Sequence, residues 1–140
     1  MKHWNPDLVD VIFGGVPLSG FAEDAMIKLS EANDRFTITA GVAGELTRSK
    51  DPATVGILTV SLMYSSNSND VLSAAHIADI EAEGGAGVVP CAVNDRNGSG
   101  LFASPEAYII RFPDLEMAKK IGKVEWQIQV TNYKLFIGGT

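Results

Sequence analysis

The sequence predicts a mainly β domain, a β-sandwich or partial barrel carrying one α-helix and a long protruding hairpin. Three observations predict it. Apolar residues recur at every second position through several segments, which sets them on one face of a strand. Glycine, asparagine and proline punctuate those segments at turn positions. Only one stretch, Asp70–Glu83, carries helical spacing instead. The chain has 140 residues and shows no linker, low-complexity block or internal repeat. It reads as a single domain, 1–140, large enough to bury about 70% of the surface its unfolded chain exposes.

Taken in order, Leu8–Phe13 is rich in β-branched and aromatic residues and ends at the turn pair Gly14-Gly15. Ala25–Glu31 alternates around Lys28 and forms a second strand, and Phe36–Thr39 a short third. In Val55–Tyr64, Leu58, Val60 and Leu62 share one face while Thr59 and Ser61 share the other. The helix follows, with Asn67, Ser68 and Asn69 as N-cap candidates and Asp70 placing an acid in the first turn. Its buried face is Val71, Ala75, Ala78 and Ala82, broadened by Leu72 and Ile80, and Gly84-Gly85 stops it. Val88–Val93 and Leu101–Ala103 flank an Asn-Gly hairpin loop, 94–100, and Ala107–Phe112 is a further strand stopped by Pro113.

Lys123–Thr131 has the strictest alternation. Val124, Trp126, Ile128 and Val130 point to the core, and Lys123, Glu125, Gln127, Gln129 and Thr131 form an all-polar row on the opposite face. Tyr133–Ile137 makes a last strand, closed by Gly138-Gly139. One segment breaks the pattern. Ala40–Ala53 carries Gly41, Val42, Gly44, Glu45, Arg48, Lys50 and Asp51, is too long for a tight turn, and reads as the protruding hairpin.

Composition excludes several function classes. Hydrophobic residues at 46% and charged residues at 20% are a globular balance, not that of a disordered chain. A net charge of −6 makes the chain a poor holder of nucleic acid, whose phosphates call for excess Lys and Arg. The one cysteine, Cys91, excludes an internal disulfide. The start, Met1–Asp7, lacks the apolar core of a signal peptide. The longest apolar stretch, Ile57–Met63, is interrupted by Thr59 and Ser61 and is too short to span a bilayer as a helix. Asn97-Gly98-Ser99 matches a glycosylation sequon, but nothing else points to secretion.

No catalytic constellation emerges. His76 and Asp79 supply only half of a helical metal site, and His76 is read as a solvated helix-face residue. Cys91 sits in the apolar run Val88–Val93, with no basic group to lower its pKa, and is read as a buried inert thiol. Gly84-Gly85-Ala86-Gly87 follows a helix, whereas a phosphate cradle precedes one. The acid pairs Glu23-Asp24, Glu81/Glu83 and Asp114/Glu116 lie in no cleft-forming context, and no nucleophile elbow is present. The chain is read as a non-enzyme with no cofactor and no metal.

Four stretches in order resemble the tail tube family of contractile-tailed bacteriophages. They are Val11–Ala22, Phe36–Arg48, Leu58–Ser73 and the ending Phe136–Gly139, which together run almost from end to end. The resemblance implies the phage tail tube fold and a structural virion protein, assembled in the host cytoplasm as hexameric rings. Those rings would stack into a hollow inner tube inside a contractile sheath, joined to baseplate and terminator proteins, with DNA passing through without specific binding. On that footing the Ala40–Ala53 hairpin is expected to make ring-to-ring contacts, and the polar row 123–131 to face the lumen or a polar interface. The acidic net charge would then keep DNA from adhering to the wall. Alternatives of the same kind are a tailocin or secretion-machine tube and a tube-end adaptor or terminator ring. From another class, a small enzyme or carbohydrate-binding β-domain would be monomeric with a ligand pocket.

Overall fold

The computed structural model describes residues 1, 3–23, 26–98, 100–120 and 122–138. Expectations that fall on Ala25, Ser99 and Gly139 lie outside the described residues. The strands are β1 Val9–Phe13, β2 Val16–Pro17, β3 Ile27–Glu31, β4 Phe36–Ala40, β5 Leu46–Lys50 and β6 Val55–Met63. After helix α1, Ser68–Glu81, come β7 Val89–Asp95, β8 Gly100–Arg111, β9 Lys123–Thr131 and β10 Lys134–Ile137. A single 3-10 turn, Pro6–Leu8, precedes β1, its start held by Asn5 Oδ1, which accepts the Asp7 N–H at 3.0 Å.

Eight strands make one antiparallel sheet in the order β2-β1-β7-β8-β9-β6-β3, with β10 also paired to β8. In a flat sheet β1 and β6 would stand four strand spacings apart, about 19 Å. Yet Val11 and Phe13 of β1 belong to the same buried cluster as Leu58, Val60 and Leu62 of β6. The sheet therefore curls around one core, as a sandwich or partial barrel does. Cross-strand pairs Leu58↔Ile128 and Val60↔Trp126 build its centre, each buried side chain contributing roughly 1.5–3 kcal/mol of transfer free energy.

Local chemistry accounts for the turns. Gly14 and Gly15 have φ of +62° and +82°, which suits the two-residue hairpin that pairs Phe13 with Val16. β8 is one twelve-residue strand rather than two. The sequence splits it at Ser104-Pro105-Glu106, where a proline costs a central strand its ladder bond. Here Pro105 sits where one neighbour replaces another: up to Ala103 the strand pairs with β10 and from Glu106 with β9, while β7 pairs on both sides of the proline. The β7–β8 ladder shifts register here, two steps from Val89 to Cys91 facing three from Ala107 to Ser104. Ser104 Oγ spans the corner, donating within reach of Thr131 O at 2.8 Å and Glu106 O at 3.0 Å.

The helix is where the sequence reading fails most. It buries Ser68, Leu72 and His76; of the expected face Val71, Ala75, Ala78 and Ala82, broadened by Leu72 and Ile80, Leu72 is buried and Ala75 packs against the core, whereas Ile80 is exposed. Leu72, the largest apolar side chain to go in, is fully buried and carries its i−4 and i+4 neighbours with it. His76 is thus a correction. It is 8% exposed, not solvated, with its ring edge-on to Phe112 at 4.7 Å. The cap also differs, since Asn67 is itself helical and makes no capping bond. Instead Ser66 Oγ accepts the Ser68 N–H at 3.2 Å, and Ser68 Oγ accepts the Ser19 N–H at 2.8 Å. At the other end Ala82 is the C-cap, and Gly85 turns the chain with φ +71°.

Candidate assembly surfaces

The polar row lies on the convex face of β9. Trp126, Ile128 and Val130 are buried on the opposite side, and Val124 packs partly against the core. The neighbouring strands extend this face through cross-strand partners: Thr59 and Ser61 of β6, Lys28 of β3, Glu106, Tyr108 and Arg111 of β8. Arg111 Nη2 donates to Gln127 Oε1 at 3.2 Å, Gln129 Nε2 to Gly56 O at 3.0 Å, and Lys123 pairs with Glu125 at 3.3 Å. Ser61 is buried on this face, at 5% exposure. The face also departs from the whole-chain charge. Its described charges are Lys28, Arg111 and Lys123 against Glu106 and Glu125, so the acidic excess lies elsewhere on the surface.

The protruding hairpin is a two-stranded ribbon. β4 and β5 pair only with each other, and all their residues are exposed. Phe36–Thr39, expected as a sheet strand, is one arm of it. The tip is tight: the Gly44 N–H reaches Gly41 O at 3.1 Å, the Gly41 N–H reaches Glu45 O at 2.7 Å, and Gly44 has φ +88°. That is a three-residue loop with glycine in the left-handed position. The base is pinned by Asp51, whose carboxylate accepts from Asn33 Nδ2 at 2.6 Å and the Ala53 N–H at 2.9 Å. The Ala53 N–H first, then Asn33, hold the Asp51 carboxyl below its usual range. Asp51 thus anchors the base of the hairpin.

Register sorts the two faces of the ribbon. Phe36↔Lys50, Ile38↔Arg48 and Ala40↔Leu46 share one face; Thr37, Thr39, Thr47 and Ser49 make the other. The first face is apolar and basic, with the Arg48 guanidinium 4.0 Å over the Phe36 ring. At the tip Val42 is 111% exposed. The sequence showed the charges of this segment but not that Arg48 and Lys50 stand among exposed apolar side chains, because that depends on the pairing register.

A third feature escaped the sequence reading altogether. An open cleft of about 1000 Å³ lies where the curled sheet fails to close. Leu18, Ile27, Leu29, Phe102 and Leu135 line its interior, and Asp7, Asp10, Glu23 and Asp95 stand among its lining residues. These positions are scattered along the chain, so no local motif announces them.

Cys91 is buried, as expected, and burial pushes its thiol up to about 11. Asp79 Oδ1 accepts the Gly87 N–H at 3.2 Å and so orders the turn after the helix. Among the described residues no group of three or more His, Cys, Asp or Glu side chains could hold a metal ion. No described helix is long and apolar enough to cross a membrane.

Over 99% of this chain and 93% of the other, the fold matches the tube-terminating cap of the anti-feeding prophage, with a TM-score of 0.62 at 7% identity. Structural protein ORF10 of Pseudomonas phage KPP10 is 34% identical over 122 residues, 87% of this chain and 70% of that protein. The family described as Bacteriophage PhiTE tail tube protein matches residues 14–138. The chain belongs to that phage tail tube family, and is a structural virion protein rather than an enzyme.

Proposed function

We propose that this chain builds the inner tube of a contractile phage tail, as hexameric rings stacked into a conduit for DNA ejection. The observation that carries the stacking is the β4–β5 ribbon, whose Phe36, Ile38 and Leu46 are grouped and exposed on one face. Exposed apolar side chains grouped on one rigid element mark an interaction surface. The terminal strands β2 and β3 leave sheet edges that pairing around a ring would cover.

In this reading the convex face of β8, β9, β6 and β3, with the row Lys123, Glu125, Gln127, Gln129 and Thr131, lines the lumen. DNA slides past it because the few charges are of both signs and because amides and hydroxyls dominate. The near balance of charge on this face replaces the simpler idea of a uniformly acidic wall. Sheath, baseplate and terminator proteins are the remaining partners, and assembly takes place in the host cytoplasm before the tail joins the virion. The same architecture would serve a tailocin or secretion-machine tube.

A second reading is a tube-end terminator ring, which the fold of the anti-feeding prophage cap favours. Electron microscopy of the purified protein at high concentration separates them. Stacked tubes support the tube reading; single rings that never stack support the terminator; a monodisperse monomer under every salt condition overturns both. A shortened ribbon sharpens the result. Replacing residues 39–47 by Asn-Gly joins the paired Ile38 and Arg48 and spares the Asp51 anchor, so the protein should fold and form rings but not tubes.

A further inference from the structure

We infer that the open cleft is the socket for the β4–β5 ribbon of a second copy, a placement that rests on the stacking reading and names its receiving site. The ribbon is convex and narrow, with arms of five residues that reach about 17 Å. Its contact face is apolar and basic, through Phe36, Ile38, Leu46, Arg48 and Lys50. The cleft is concave, with an apolar floor and carboxylates at Asp7, Asp10, Glu23 and Asp95, and no Lys, Arg or His among its described lining residues. Arg96, from outside that lining, pairs with Asp10 at 3.0 Å, and Asp95 accepts from Asn97. Asp7 and Glu23 stay available to meet Arg48 and Lys50. Apolar surface thus faces apolar surface, and opposite charges meet at the rim.

The two features also stand in the right relation on one chain. Ile27 and Leu29, in the first part of β3, line the cleft, whereas the ribbon springs from the residues beyond Glu31 at the strand's other end. A ribbon that fills the cleft of the next copy leaves its own copy's cleft open for another, so the contact is heterologous and propagates. The competing acceptor is helix α1, which exposes Ile77 and Ile80 and has no basic residue in its last turn. It is convex, however, and offers the ribbon no recess.

Cross-linking decides between them. Val42→Cys combined with Ile137→Cys places one thiol on the ribbon tip and one at the cleft, while the native Cys91 is buried and stays out of exchange. Mild oxidation at tube-forming concentration should give a ladder of covalent dimers, trimers and higher species. The control pair Val42→Cys with Ile80→Cys should give none. Arg48→Glu with Lys50→Glu should lower the cross-linked yield about tenfold, and adding Asp7→Lys with Glu23→Lys should restore it. Tubes by electron microscopy without a ladder from the cleft pair, or with a ladder from the helix pair instead, overturn the socket and leave the stacking reading intact. Absence of any tubes from the unmodified protein overturns the stacking reading and the socket with it.

Discussion

The indole N–H of Trp126 donates to Asn69 Oδ1 at 2.9 Å, joining the middle of β9 to the first turn of the helix. Asn69 completes the link by donating through Nδ2 to Met63 O at 3.0 Å and Tyr64 O at 3.2 Å, the end of β6. One amide side chain therefore fixes where the helix leaves the sheet, and its partner is a ring only 2% exposed. Trp126→Ala should cost about 3–5 kcal/mol by emptying the core. Asn69→Ala should cost about 1–3 kcal/mol, because a buried indole N–H loses its acceptor. A double-mutant cycle with Trp126→Phe, read by urea denaturation, should show a coupling of about 0.5–3 kcal/mol. Additive losses would mean that the bond contributes nothing.

Gly56 should tolerate no side chain. It is buried in β6 opposite Val130 and Glu31, and a methyl there would stand 3.0 Å from Ser30 O and 3.1 Å from the Tyr133 ring. The Ser30 carbonyl belongs to the ladder and cannot swing aside. Gly56→Ala should destabilise by about 1–3 kcal/mol through overpacking alone. A Tm equal to that of the unmodified protein would show that β3 can shift outward.

Stability should fall in alkali. Burial raises Cys91 to about 11 from an ordinary value of 9.0. Burial first, then the hydrogen bond to Glu31, raise Tyr133 to about 12 from 10.0. Both groups ionise in the unfolded chain before they do so in the folded one, so between those values the folded state holds more protons and loses ground as pH rises. The contribution is complete below pH 9 and is lost through about pH 12. The urea midpoint should decline across that window, less steeply in Cys91→Ala and in Tyr133→Phe. A midpoint that is flat to pH 12 would rule out both shifts.

Alanine changes along the polar row should not be equal. Lys123→Ala and Glu125→Ala should alter stability by no more than about 0.5 kcal/mol, since both side chains are exposed. Gln129→Ala should cost about 0.5–1.5 kcal/mol, because its amide satisfies Gly56 O. Equal, near-zero effects at all three would show that the Gln129 bond is matched by water.

The sequence by itself determined the elements whose signal is local. The period-two alternation from Lys123 to Thr131 marks β9 to the residue, because one register shift would turn Trp126, Ile128 and Val130 out of the core. The same holds for Leu58, Val60 and Leu62 in β6, for the Gly14-Gly15 turn, and for the existence of a helix before Gly84-Gly85. A protruding hairpin within Ala40–Ala53 was also visible, though not that its first arm begins at Phe36. Tertiary structure alone decided the rest. His76 is buried because Phe112, thirty-six positions along the chain, lies against it. Pro105 stays within a strand because β9 replaces β10 beside β8 there. Arg48 shares a face with Phe36 through the β4–β5 register, and the cleft gathers residues from Trp4 to Ile137. Periodicity records which side of an element prefers water; it carries no record of which distant segment covers the other side, and these surfaces are defined by what the fold leaves uncovered.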